Sequence, residues 1–343
     1  MRKSRRKALA AIGVGLLLLG SIVYIAFGDA VWFWSDNQIN NNSIEKRKVV
    51  FISKSTDSAF WQSAYAGANA ASAEYNLNLT CEGPGSEEDF EMQNDMIDAA
   101  IEDDVDAIIF SAIDFEANAD AINRAAEKGI KIVVVDSPVN SSKIMCYIGT
   151  DNYGAGCVAG VEALKNPART LRIGIVNFDK NTQNGQMRES GFRDTVKKDE
   201  RTEIVSSINV KSTVEDAKQG TIDMLNQYPH INVLVTFNEW TSLGVGYAVE
   251  EMGVGSDTQL IAFDSNVKSV GMLENGDVDA LIVQNPYAIG YLGVEKAYAL
   301  LNGQKLDKAE IETTSILVTR ENMYDDKSQR ALFAFGKGED QTV

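Results

Sequence analysis

Ile132-Val133-Val134-Val135-Asp136 is a run of four β-branched residues that stops on a carboxylate. Such a run, with no polar residue interleaved, reads as a strand buried on both faces. The pattern recurs along the chain. Val49-Val50-Phe51-Ile52 runs into Ser53-Lys54, Ala107-Ile108-Ile109-Phe110 into Ser111, and Arg172-Ile173-Gly174-Ile175-Val176 into Asn177. Val233-Leu234-Val235-Thr236-Phe237 ends on Asn238, Leu260-Ile261-Ala262-Phe263 on Asp264, and Leu281-Ile282-Val283 on Gln284. Between them lie segments of helical period at 60–75, 90–102, 117–128, 153–165, 183–198, 214–228, 241–252, 267–275 and 286–302. The alternation predicts an α/β fold of parallel sheets with helices on both faces, and roughly ten strands favour two sheets over one. The second sheet is expected to begin after Cys146-Tyr147-Ile148-Gly149-Thr150-Asp151.

In open α/β sheets ligands bind outside the carboxyl ends of the strands. The polar residues that end these runs therefore stand where a ligand is held. Hydroxyl pairs on a monosaccharide match carboxylates and amides, and its C–H face stacks on aromatic rings. Asp136, Asn238, Asp264 and Gln284 supply the first chemistry, while Phe60, Trp61 and Trp240 supply the second. Each alone reads equally well as a cap or loop residue. Their convergence at strand ends is what points to a sugar site.

The 343 residues carry a net charge of −17. Setting aside Arg2, Lys3, Arg5, Arg6 and Lys7 leaves 27 basic residues against 49 acidic, a net −22. So acidic a surface repels phosphate backbones, which argues against nucleic acid as a partner. Residues 8–27 carry no charge and follow the basic cluster, a length that spans a bilayer with the basic end cytoplasmic. Trp32, Phe33 and Trp34 then fall where an interfacial belt would lie. The expectation is a single-pass anchor over 1–34 with an extracytoplasmic domain beyond it. Ala26-Phe27-Gly28 offers an alternative cleavage site after Gly28, which would release the protein. The Asn-rich stretch 35–48 reads as a flexible tether, and 331–343 as a terminal tail or strap.

Cys81, Cys146 and Cys157 lie in or beside apolar runs and read as buried free thiols. His230 is the single histidine and enters a strand at the end away from the cleft, so no His-based metal site or Ser–His–acid triad is expected. No cofactor and no metal is expected. Gly154-Ala155-Gly156-Cys157-Val158-Ala159 matches a dinucleotide pattern, but a small-residue helix N-terminus packing on a sheet explains it better. A carboxylate pair, Asp136 and Asp264, leaves glycoside hydrolysis as a remote alternative to binding without turnover.

From Val49 to Arg320 the chain resembles the ribose/galactose-type periplasmic sugar-binding proteins, whose fold also serves as the effector domain of lactose-repressor-like regulators. The resemblance rests on ISKSTDSAFWQSAYAGANAASAEYN, DAIIFSAID, VVVDSPVNSSKIMCYIGTDNYGAG, NEWTSLGVGYA, IAFDSN and VQNPYAIGYLGVEKA, in the family's order. It implies two doubly wound lobes, 48–150 plus 286–313 and 152–283 plus 314–330, joined by three hinge crossings near Asp151, Gln284 and Thr314. It implies ligand roles for Phe60, Trp61, Asp136, Asn238, Asp264 and Gln284, with Ser111 where many relatives have Asn. Lys54, Asp57 and Trp240 lie beside these positions. Ser137 stands where ribose binders carry Arg, and Gln186 where they carry a second, so Lys54, Gln186 or Arg188 would supply the remaining donor. No calcium loop is matched. A regulator would need a DNA-binding segment before Val49, where the apolar stretch lies. The implied partners are a membrane permease that accepts the sugar, or a sensor kinase or chemoreceptor that reads the closed lobes.

Overall fold

The computed structural model describes residues 46–307 and 309–333. The expected anchor and most of the expected tether lie outside those residues. Among the described residues, no helix is long and apolar enough to cross a membrane.

Two six-stranded sheets form the frame. The first contains β1 (Lys48–Ile52), β2 (Asn78–Glu82), β3 (Ala107–Phe110), β4 (Lys131–Val135), β5 (Cys146–Thr150) and β11 (Glu310–Thr313), in the order β11-β5-β4-β3-β1-β2. The second contains β6 (Leu171–Asn177), β7 (Thr202–Asn209), β8 (Val233–Thr236), β9 (Gln259–Phe263), β10 (Ala280–Val283) and β12 (Ile316–Thr319), in the order β12-β10-β9-β8-β6-β7. The orders match strand for strand, so β4 and β9 occupy equivalent places. Lys48, counted with the tether in the sequence, is already the first residue of β1.

Every pairing in the first sheet is parallel. The second departs from the parallel expectation at one edge, where β12 runs antiparallel to β10. The path of the chain explains it. β11 finishes beside the end of β5, with Thr313 opposite Thr150. After two intervening residues the chain starts β12 with Ile316 opposite Val283, the last residue of β10. It enters the second sheet at the strands' carboxyl ends and can only run backwards along it.

Helices cover both faces. Around the first sheet lie α1 (Ala59–Glu74), α2 (Phe90–Glu102), α3 (Ala119–Glu127) and, after the return crossing, α9 (Pro286–Leu301). Around the second lie α4 (Asn152–Ala163), α5 (Gln183–Val196), α6 (Val214–Gln227), α7 (Glu239–Met252), α8 (Val267–Asn275) and α10 (Asp326–Leu332). Alternate strand residues feed opposite layers: Val49, Phe51, Val133 and Val135 join one core, Val50, Ile52, Ile132 and Val134 the other. That two-sided burial is why the strands lack polar alternation. Leu332 of α10 is buried with Val318 and Met323, so the first residues of the expected tail pack on the second lobe.

Candidate ligand-binding site

The carboxyl ends of the two sheets face one another across a seam. Lys54, Ser58, Phe60, Trp61, Glu87 and Asp136 reach it from the first lobe. Phe178, Asn184, Arg188, Asn238, Glu239, Trp240, Asp264 and Gln284 reach it from the second. The space left between them is about 20 Å³, room for roughly one water. The polar side chains fill the seam by bonding to one another.

Asp136 and Asp264 sit one residue past the equivalent strands β4 and β9, and both have left-handed backbones, φ 56° and 68°. Few non-glycine residues adopt that conformation, and Asp is among the most tolerant. Its recurrence at both positions marks a built feature. Asp136 accepts from Ser111 Oγ (3.2 Å) and from Asn184 Nδ2 across the seam (3.2 Å). Lys54 Nζ stands between Asp136 (3.9 Å) and Glu87 (3.8 Å) and over the Phe178 ring, 5.3 Å from its centre. Trp61 Nε1 donates to Glu87 Oε1 (3.0 Å), which fixes the indole edge-on to Phe60, ring centres 5.0 Å apart.

Arg188 is the second-lobe centrepiece. It is 1% exposed. Its Nε donates to Asn152 Oδ1 (2.8 Å), Nη1 to the Phe237 carbonyl (2.6 Å) and Nη2 to Gln284 Oε1 (2.7 Å). The guanidinium carbon lies 5.2 Å from the centre of the Phe263 ring. Thr150 Oγ1 also donates to Gln284 Oε1 (2.7 Å), so Gln284 Nε2 is turned to Asp264 Oδ1 (2.7 Å). This chain ties two hinge crossings to the cleft. Gly156 makes the approach of α5 possible: a Cβ there would lie 1.9 Å from the Arg188 carbonyl oxygen. The small-residue motif at 154–159 therefore serves helix packing.

Burial pushes Asp264 up to about 6, against the pull of the Arg188 charge and the Gln284 bond. Burial pushes Glu239 up to about 7, opposed by the N–H of Phe60 and the Asn266 amide. Asn238 caps α7, accepting from Thr241 N (3.0 Å) and donating to Ser212 Oγ (2.7 Å).

Of the sequence-derived residues, Lys54, Phe60, Trp61, Asp136, Arg188, Asn238, Trp240, Asp264 and Gln284 come together. Ser111 lies behind Asp136, fully buried, and orients it. Asp57 is exposed and accepts only from Thr56 among the described bonds, because it precedes the N-cap Ser58 on the outer lip. Gln186 does not enter the cleft. On α5 the face turned inward carries Asn184 and Arg188, four residues apart, and Gln186 falls roughly 200° round from Asn184. It lines an outer groove with Phe115 and Glu116. Ser58, Glu87, Phe178, Asn184 and Glu239 were not singled out by strand-end reading.

Residues 49–305 match the family model of the periplasmic binding protein domain. The chain belongs to the periplasmic binding protein family. This binding protein is 25% identical over 313 residues to a D-ribose/D-allose-binding protein of Pseudomonas aeruginosa, covering 88% of its own chain and 97% of the relative. Its fold superimposes with a TM-score of 0.81 on a carbohydrate transporter solute binding protein from Agrobacterium radiobacter in complex with D-arabinose, at 26% identity over 84% of this chain and 100% of that one. It also resembles a chain of the XylFII-LytSN complex, with a TM-score of 0.73, 29% identity, and 80% and 98% coverage.

Proposed function

We propose that this protein is an extracytoplasmic solute-binding protein that closes its two lobes around a monosaccharide, without chemical turnover. One observation carries the reading. Carboxylates on the equivalent strand ends of both lobes, with the second-lobe amides Asn184, Asn238 and Gln284, converge with Phe60, Trp61, Phe178 and Trp240 in a single seam. That pairs hydroxyl-directed acceptors with rings for a sugar's C–H face. The sugars bound by the Pseudomonas and Agrobacterium relatives support the same class. Because the side chains already occupy the seam, ligand entry requires the lobes to part, and the Asn184–Asp136 and Gln284–Asp264 bonds then exchange for sugar hydroxyls. A ligand that bridges both lobes favours closure by its differential affinity for that form.

The closed lobes are read at a membrane. The uncharged stretch 8–27 behind a basic cluster supports a single-pass anchor. Similarity to a chain of the XylFII-LytSN complex fits a partner protein that reads the closed lobes, and similarity to a carbohydrate transporter solute binding protein fits a permease. The test is a thermal-shift screen of the full chain against pentoses, hexoses and inositols. A bound sugar raises the melting temperature by mass action. One sugar should give a saturable shift that D136A and D264A abolish while both variants keep their far-ultraviolet dichroism. A full shift in either variant would defeat the site assignment.

A further inference from the structure

We infer that closing the two lobes takes up protons, so that mildly acidic medium holds the cleft shut and alkaline medium loosens it, with Glu239 the principal acceptor. The inference rests on the hinge-closing reading above and on no particular sugar. It starts from charge. The seam buries or half-buries Glu87, Glu88 and Asp136 from the first lobe and Glu239 and Asp264 from the second. Facing them are two cations, Lys54 and Arg188. Asp179 and Lys211 also act on Glu88, in opposite directions, and add one charge of each sign at the rim. Three negative charges remain in surplus in a closed, water-poor space, where unpaired ions are costly and carboxylates neutralise instead.

Glu239 is the group that closure itself desolvates. Its Oε2 accepts from Phe60 N (3.1 Å) and its Oε1 from Ala59 N (3.3 Å), at the opening turn of α1 in the opposite lobe. Asn266 Nδ2 donates to Oε1 (3.0 Å) from its own lobe. These partners are neutral N–H groups, and the titratable neighbour facing it is Asp264, a second acid. Parallel contacts cross the seam at the rim, Ser212 Oγ to Glu87 (2.8 Å) and Ser212 N to Glu88 (2.6 Å). Parting the lobes returns all of these carboxylates to water.

The direction follows from linkage. Burial raises Glu239 to about 7 and Asp264 to about 6, and raises Glu88 as well. Open, each returns toward the ordinary carboxylate range. A group with the higher pKa in the closed form favours closing fully below its open value and loses that contribution as pH rises through its closed value. For Glu239 the window runs from roughly pH 4.5 to 7, and this one group shifts the closed-to-open ratio about twentyfold between pH 5.5 and 7.5.

The test needs no ligand, so its failure leaves the sugar-binding reading standing, and the reverse. Spin labels go on E116C and S190C, exposed positions on facing lips of the outer groove, in the full chain carrying C81A, C146A and C157A. Pulsed dipolar spectroscopy at pH 5.5 and 7.5 then counts short-distance and long-distance populations. The expected result is a short-to-long population ratio that falls at least about twentyfold at the higher pH in the parent, and only about fourfold in E239Q, where Asp264 still titrates. Should E239Q fail to fold, E239A, which equally cannot titrate, takes its place with the same expectation. Equal populations at both pH values in the parent would overturn the proposal. An unchanged pH response in the folded Glu239 variant would overturn the assignment.

Discussion

Replacing Arg188 by Met removes the most connected side chain of the cleft while keeping its volume. Three charge-assisted bonds go, to Asn152, Phe237 and Gln284. Bonds to a charged group contribute about 1.5–3 kcal/mol each. Gln284 Oε1 keeps the Thr150 donor, but the Phe237 carbonyl and Asn152 Oδ1 stay buried without theirs, at about 1–3 kcal/mol apiece. Against this, the buried guanidinium no longer pays desolvation of several kcal/mol. The balance is a loss of about 3–4 kcal/mol, read by urea unfolding with tryptophan fluorescence, or a melting temperature about 6–8 °C lower for a chain of this size. A second effect separates the role in the site from the role in the fold. Arg188 is the leading opponent of burial at Asp264. Without it Asp264 rises further, is protonated near neutrality, and loses acceptor capacity toward a hydroxyl pair. Sugar affinity at pH 7 is therefore expected to fall at least tenfold even well below the melting temperature. A destabilisation under about 1 kcal/mol would refute the bond accounting. Unchanged affinity in the folded variant would refute the electrostatic coupling.

Two further substitutions probe the same region. G156A places a methyl 1.9 Å from the Arg188 carbonyl oxygen, so α5 must shift. Overpacking of this kind should cost about 1–3 kcal/mol in urea unfolding, with weaker sugar binding because Asn184 and Arg188 move together. Q186A, on the outer groove, is expected to leave sugar affinity within about twofold by isothermal titration, whereas N184A, which removes an amide freed for a sugar hydroxyl when the bond to Asp136 exchanges, should lower it by at least tenfold.

The central strands were legible because burial on both faces leaves an unbroken apolar run, and the residue ending each run faces the cleft by the geometry of parallel sheets. Edge strands were not. β2 and β7 are half-exposed along their length, so their composition is mixed. Glu87 was missed with them, since it sits in the loop after an edge strand that no apolar run announces. Asn184 and Arg188 carried a readable signal, spacing of four on one helix face, that strand-end reasoning does not use. Gln186 stands apart for the complementary reason: resemblance placed it by position, and helical phase sets it on the outer groove. Glu239 lies next to Asn238 and reads as an ordinary first-turn acid. Its partner is the start of a helix 179 positions away, which no local pattern encodes.

The three passages of the chain between the sheets set an order of birth. When residue 283 has been synthesised, the second sheet lacks only β12, while the first still lacks β11 and α9. Ile289, Val294, Ala297 and Leu300 of α9 belong to the layer over Phe51, Ile109, Val133 and Val135. That layer stays incomplete on the nascent chain throughout the making of the second lobe. Gly290, whose Cβ would lie 1.9 Å from the Ala64 carbonyl oxygen, then lets α9 close against α1. The half of the molecule made first thus waits for most of the other to be made before its own layer closes, and its bare apolar face is the surface a chaperone would meet.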